Sequence, residues 1–290
     1  MLAGLRNRLN PVGQAFQIFA SQRIAMLGLV LILCVVFVGT FAPFIAPYDP
    51  TKLVATPLLP PSREYLFGTD QLGRDVFSRI VYGARVSLIV GISAQFLSAA
   101  IGVPLGLLAG YYGGRVDHLV MRIVDVFMSF PYILLALMIA AVLGPGLQNV
   151  ILALGVTGWT TMCRISRVQA LSLREGTFVE SCRCIGAGDM RIIARHILPN
   201  SLAPILVVST LGIATAITGE ASLSFLGMGI KPPEPSWGGI LSEAKGYLFQ
   251  SVTLPVFPGV AIVVAVLGFN LVGDGLRDAL DPRLRRRALG

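Results

Sequence analysis

Charge is what this sequence has least of. Asp, Glu, Lys and Arg make up 13% of its 290 residues, against 54% for the hydrophobic types. A water-soluble domain carries about 25% charged and about 45–50% apolar residues. That shortage leaves too little polar side chain to cover a water-facing globule, so lipid is the natural solvent. No G-x-x-x-x-G-K-[ST] run occurs, and Gly-Lys is absent altogether. Without the usual phosphate-cradling loop, nucleotide hydrolysis by this chain is not expected. There is no G-x-S-x-G elbow either. The only histidines, His118 and His196, fall in connections assigned below to the cytosol, which argues against catalysis inside the bilayer. Cys34 and Cys163 lie in or at the end of apolar runs. Cys182 and Cys184 sit one residue apart in a basic loop with no second Cys or His cluster nearby. Neither a disulfide framework nor a metal site follows. The net charge of +8 comes from bases scattered between apolar runs, not interleaved with stacking aromatics, so no nucleic acid is expected.

Long apolar runs are abundant. The first, 24–46, follows Arg6, Arg8 and Arg23. It exceeds the roughly 7–15 apolar residues of a signal peptide and has no small-x-small cleavage site, so it reads as a retained signal-anchor helix. Others cover 86–111, 119–143, 149–163, 201–227 and 252–272. Most match the ~20 residues needed to cross hydrocarbon. The run at 149–163 is short and extends past Arg164, whose long side chain can snorkel to the interface. The expected fold is an all-α membrane protein of about six transmembrane helices in one membrane domain, 24–276. A cytosolic segment, 1–23, precedes it and a basic cytosolic tail, 277–290, follows. With the N-terminus inside, most of the 23 lysines and arginines fall on the inner side, among them Arg164, Arg167, Arg174, Arg183, Arg277 and Arg283, which places both termini in the cytosol.

The outer segment, 47–85, opens with Pro47, Pro50, Pro60 and Pro61, then becomes amphipathic: Leu72, Val76, Ile80 and Ala84 recur every fourth residue. Asp70/Arg74 and Asp75/Arg79 are acid-before-base pairs at i,i+4 that support an exposed helix. The expectation is a helix along the outer surface, serving as an external gate or docking rim, or simply as an interfacial strut. Gly102, Gly106 and Gly110 share one helix face, the small-xxx-small spacing of close helix packing. Pro104 and Pro131 should kink their helices. Glu220 is an acid within a span. Ionisable groups at membrane depth are costly and face the bundle interior or a watery path. Glu220, with Ser222, is therefore a candidate for the translocation path or its gate, unless the span ends early and Glu220 is paired near the outer interface.

The inside loop, 171–199, reads as helix, glycine turn, helix, then a proline opening the next span. Gly186 and Gly188 permit a positive-φ turn, and Asp189 is placed as an N-cap. Ile192, Ile193 and Ile197 form an apolar face among Arg191, Arg195 and His196. Such a knob suits a protein socket, or else an interfacial re-entrant helix.

At this loop the chain resembles the permeases of bacterial ABC importers, whose inner loop follows E-A-A, three residues, Gly, nine residues, then I-x-L-P. Glu180, Gly186, Leu198 and Pro199 match, whereas Ser181 and Cys182 stand in for the alanines and His196 for the isoleucine. FGTDQLGRDVFSR at 67–79, ASLSFLG at 221–227 and GDGLRDALDP at 273–282 resemble the dipeptide/oligopeptide/nickel group, C-type subunit. The resemblance runs over nearly the whole chain from Ile24. It implies a type I importer permease fold, a second homologous permease subunit, two cytosolic ATPase subunits and an external solute-binding protein. It also implies docking on an ATPase through Glu180, Gly186, Ala187, Asp189, Arg191, His196, Leu198 and Pro199. ATP and magnesium would belong to the partners, leaving no cofactor in this chain. Dipeptides, longer peptides, glutathione, opines and nickel chelates are all carried by such permeases. A self-contained secondary transporter is the alternative of a different class, although about six spans and one candidate carboxylate fit it poorly; a membrane scaffold or receptor is a third.

Overall fold

The computed structural model of the chain describes residues 11–280. Most of the expected basic tail, and Arg6 and Arg8 at the other end, lie outside the described residues. The chain is a bundle of helices: α1 (Pro11–Ser21), α2 (Arg23–Thr40), α3 (Ala42–Ile45), α4 (Val76–Tyr112), α5 (Gly114–Met128), α6 (Tyr132–Leu143), α7 (Leu147–Arg174), α8 (Thr177–Cys184), α9 (Asp189–Ile192), α10 (Leu198–Phe225), α11 (Trp237–Ala244) and α12 (Thr253–Leu280). Helix α1 falls in the segment expected to precede the membrane domain, and its Phe19 packs with Ala25, Val272 and Ala279.

Helix α2 is apolar all round, as a membrane span is. It buries only Ala25, Gly28, Val35 and Gly39, so its small residues face the bundle while Leu27, Leu33 and Phe37 point outward. Among the described residues, α2, α4, Asp189–Phe225 and α12 are long and apolar enough to cross a membrane, and α5 with α6 makes a fifth if that bent pair is one span. Helix α7 takes the place of the expected span 149–163 and does continue past Arg164, but with Gln148, Asn149, several glycines and threonines and Arg164 in its first 18 residues it is not among the helices apolar enough to cross alone. It packs extensively on α4. Two of its arginines are matched across the bundle: Arg164 by Asp125 at 2.7 Å, and Arg167 bidentately by Asp117, with Nη2 to Oδ2 at 2.6 Å.

The glycine stripe is the seam of that packing. A Cβ on Gly102 would lie 2.7 Å from Met162 Cβ, one on Gly106 2.8 Å from Ser166 Cβ, and one on Gly110 2.7 Å from Ala170 Cβ. These distances are below contact for carbon, so only glycine lets the two backbones approach. The proline at 131 does more than kink: α5 and α6 meet at 86° across a short break, because Pro131 supplies no N–H and clashes with the preceding turn. What was expected as one span, 119–143, is two helices.

The outer segment also differs from expectation. No separate surface helix forms. Leu72 lies outside any helix, and Val76, Ile80 and Ala84 belong to the first turns of α4, which runs on unbroken for 37 residues. Asp75 does not pair with Arg79. It caps α4, its carboxylate accepting from Ser78 N at 2.7 Å and Ser78 Oγ at 2.6 Å, which satisfies an orphan donor of the first turn.

Candidate functional site

Three features carry the functional geometry: the loop at 171–199, a buried ion cluster at the opposite end of α4 and a groove between them.

The loop is α8, a turn through Gly186, and α9. Gly186 has φ +78°, and a Cβ there would meet no atom within 4 Å. Glycine is required by the backbone conformation, not by crowding. The Gly186 N–H donates to Arg183 O at 2.9 Å and the Ala187 N–H to Cys182 O at 3.0 Å, so the glycine sits as a left-handed C-cap with the carbonyls of α8 satisfied. Asp189 is not the N-cap. Gly188 holds that place, and Asp189, the first residue of α9, accepts a hydrogen bond from Tyr111 Oη at 2.7 Å. The Arg183 guanidinium lies 5.2 Å from the Tyr111 ring centroid. Tyr111, at the end of α4, thereby grips both sides of the turn.

The isoleucines point inward. Ile192, Ile193 and Ile197 pack with Val179, Leu107, Tyr111 and Ala170, with Ala187 and Leu198 at the margin. Between α9 and α10 the chain makes one π-helical turn, Ile193–Ile197. Its cause is two residues on: Pro199, in the first turn of α10, cannot donate to Arg195 O and crowds it, so the turn widens. Glu180, Arg191 and Pro199 are exposed and His196 is half-buried; its carbonyl accepts from Asn200 Nδ2 at 2.6 Å. At the tip Ile185 is 83% and Met190 62% exposed. A knob results, fixed at its root by apolar packing and presenting charged and apolar side chains outward.

At the other end, Asp70, Arg74, Arg79 and Glu243 form one buried, charge-balanced cluster. Arg74 Nε donates to Asp70 Oδ2 at 2.6 Å and Arg74 Nη2 to Glu243 Oε2 at 2.7 Å. Arg79 Nη1 donates to both carboxylates, and Gln71 Nε2 reaches Glu243 Oε2 at 2.8 Å. Burial raises the Glu243 pKa, but the hydrogen bonds and charges of Arg79, with Gln71 and Arg74, outweigh it and hold the carboxyl below the ordinary glutamate value. The pair expected on an exposed helix face, Asp70 with Arg74, is thus an interior one. Glu243 was invisible to local pattern reading because its partners lie some 170 positions away. Trp237 Nε1 donates to Ile80 O at 2.9 Å, so α11, the outer segment and the start of α4 are tied together.

Glu220 is fully buried. Its Oε1 accepts from Ser224 Oγ at 2.7 Å, and Oε2 has no hydrogen-bond partner. Ser222 is half-buried and donates back to Thr218 O at 2.8 Å.

Between these ends a cavity of about 530 Å³ opens among α4, α6, α7 and α10, lined by Gln95, Ser98, Tyr132, Met162, Thr215 and their neighbours. A further hollow of about 390 Å³ shares Ile165, Val208 and Leu211 with it and ends at Arg277. The two make one groove along α7 and α10. Neither Glu220 nor Ser222 lines it. Gln95 was missed in the sequence, although a polar residue in the midst of 86–111 was a usable signal.

Known proteins resemble this chain. The family described as binding-protein-dependent transport system inner membrane component matches residues 102–286, and the N-terminal TM domain of oligopeptide transport permease C matches 10–61. The chain is 44% identical to the dipeptide transport system permease protein DppC of Alkalihalophilus pseudofirmus, over 96% of this chain and 91% of that one. It is 42% identical to the DppC of Haemophilus influenzae, over 95% and 96%. With the glutathione transport system permease protein GsiD of Escherichia coli it shares 47% over 95% and 91%. Among solved structures it matches a chain of the inward-facing MetNI methionine ABC transporter with TM-score 0.59 and 22% identity, over 71% of this chain and 98% of that one, a likeness that concerns the fold alone. This chain belongs to the binding-protein-dependent transport family of inner-membrane permease components and has the type I ABC-importer permease fold.

Proposed function

We propose that this chain is one of two permease subunits of an ATP-driven importer for di- and oligopeptides, with both termini in the cytosol. The observation that carries the reading is the inner knob. A turn that needs a left-handed glycine, rooted in buried isoleucines and gripped by Tyr111, transmits a push from outside into α4, α7 and α10. A self-contained transporter has no use for a rigid lever projecting from the membrane. Glu180, Gly186, Ala187, Asp189, Arg191, His196, Leu198 and Pro199 form the lever, which docks on one of two cytosolic ATPases; ATP and magnesium belong to those partners. The outer plate of α11 and 47–85 faces an external solute-binding protein.

Peptide as cargo rests on the relatives named for dipeptide and glutathione transport, glutathione being itself a tripeptide. Glu220 belongs to the outer gate by holding the C-terminal end of α10, without touching cargo: it is buried beside Ser224 and lines no part of the groove. Reconstitution tests the whole reading. The purified chain alone should neither hydrolyse ATP nor move peptide, and ATP-dependent peptide uptake should appear when the second permease, the ATPases and the binding protein are added. Peptide uptake by the lone chain would overturn the subunit reading.

A further inference from the structure

The groove has a chemistry of its own. The residues lining the 530 Å³ cavity include no carboxylate, ammonium, guanidinium or imidazole, and among the described residues no group of three or more His, Cys, Asp or Glu is placed to hold a metal ion. Its volume is that of a small-molecule site. A bare cation or a strongly charged chelate would find nothing there to replace its water.

One lining group stands out. Gln95 is 8% exposed, and its Nε2 has no hydrogen-bond partner. Of the other polar lining groups, Ser98, Tyr132, Thr161 and Thr215, two are otherwise engaged. Ser98 Oγ donates to Gly155 O at 3.0 Å and Thr215 Oγ1 to Leu211 O at 3.1 Å. Space for the Gln95 side chain is made from across the groove: a Cβ on Gly212 of α10 would stand 2.5 Å from Gln95 Cδ and 3.1 Å from Nε2. Any residue other than glycine at 212 would displace the carboxamide. A buried amide left without a partner is costly, and its natural complement is another amide, which offers one donor and one acceptor in the same plane.

We propose that Gln95 is the cargo-reading contact of the groove, its carboxamide hydrogen-bonding a main-chain amide of a peptide as the peptide passes along the groove. This rests on the peptide-importer reading and narrows it. The path reads peptide backbone, is indifferent to apolar side chains, and offers no charged partner beside Gln95. Nickel and its chelates are thereby set aside.

The test uses the assembled transporter in vesicles, with its own ATPases and binding protein, and follows uptake of Ala-Ala, Ala-Lys and Ala-Glu. The binding protein is the same throughout, so a change in the ratio of uptakes reports on the permease. Gln95→Glu places a carboxylate at the same point and should raise the Ala-Lys to Ala-Glu ratio by about tenfold. Gln95→Met keeps the shape, loses the amide, and should slow Ala-Ala uptake by about tenfold while ATP hydrolysis stimulated by the binding protein stays near wild type. Unchanged ratios and rates in both variants would overturn the role of Gln95 and leave the importer reading standing. If Gln95→Glu does not assemble, Gln95→Met decides alone: wild-type Ala-Ala uptake refutes the contact. A wild-type transporter that moves none of the three peptides overturns both readings together.

Discussion

Arg79 and Glu243 are 164 positions apart in the chain, and Arg79 Nη1 meets Glu243 Oε2 at 2.7 Å inside the end of the bundle away from the Gly186 turn. Each is one member of a cluster of two guanidinium and two carboxylate groups, so removing a single charge unbalances all four. Breaking a buried pair from one side costs about 3–5 kcal/mol, and Glu243 keeps 21% of its side chain exposed, which puts it at the lower end. Glu243→Gln should lower the thermal melting point of the purified protein clearly, and Arg79→Met should lower it more because Arg79 also holds Asp70. Melting points within a degree of wild type would refute the cluster as a structural tie.

The same carboxylate gives the protein a pH signature. Glu243 has a folded-state pKa below its ordinary value, so its stabilising effect is complete above the unfolded glutamate pKa near 4.3 and is lost as pH falls through the lower folded value. The stability gap between wild type and Glu243→Gln should therefore be constant from neutral pH down to about 5 and close below about 4. Melting curves of the two proteins across that range check it. A gap that closes between pH 6 and 8 would assign the effect to some other group.

The glycine stripe on α4 is equally specific. Gly106→Val puts a branched side chain where a Cβ alone would be 2.8 Å from Ser166 Cβ. Overpacking of this kind costs about 1–3 kcal/mol where neighbours can shift, and more where, as here, the neighbour is helix backbone. The control is Gly259 in α12, where a Cβ meets nothing within 4 Å. There an alanine should be neutral or stabilising by about 0.5–1 kcal/mol. Comparable melting points for Gly106→Val and Gly259→Ala would show that α4 and α7 are not in backbone contact.

Tyr111→Phe removes one hydroxyl and its bond to Asp189. A hydrogen bond to a charged group contributes about 1.5–3 kcal/mol, less for the exposed Asp189 carboxylate. The loss is local, so the expected readout is faster amide hydrogen exchange across Thr177–Ile192 with the melting point unchanged. Unaltered exchange there would mean that apolar packing alone fixes the knob.

What the sequence made legible follows from how far each signal reaches along the chain. The apolar runs, the stripe at Gly102, Gly106 and Gly110 and the turn at Gly186 are local, and all three were readable as periodicity or as backbone need. The outer helix was misread for the same reason. A four-residue spacing at Leu72, Val76, Ile80 and Ala84 looks identical whether the helix lies flat or is the top of a span. Only Asp75 as a cap, with Arg79 turned toward Glu243, decides between them. Pairings such as Arg167 with Asp117, 50 residues apart, leave no local trace. Gln95 and Gly212 likewise become a site only when α4 and α10 are brought together.

Gly186 is where the proposed mechanism is most exposed to test. Its φ of +78° lies in the left-handed region, and a side chain there would meet no neighbour within 4 Å. Any effect of substitution must therefore come from backbone strain, about 1–2 kcal/mol for an ordinary L-residue, and not from a clash. This fixes an order. Gly186→Asn should be mild, since asparagine tolerates the left-handed region; Gly186→Ala should be intermediate; and Gly186→Val should be worst, being β-branched. The strain is small beside the stability of a bundle of long helices, so all three proteins should insert and melt much like wild type while α9 is reoriented. With the lever bent, ATP hydrolysis should persist and peptide uptake per ATP should fall in the order Asn, Ala, Val. Glu180→Lys, which reverses an exposed charge on the same knob, should weaken ATPase docking without any change in the turn. A cysteine replacing Arg191, exposed on α9, should crosslink to an ATPase subunit and not to the external binding protein. Equal coupling in the Asn and Val proteins, or crosslinking only from the outer side, would show that this turn does not carry force between the ATPases and the membrane helices.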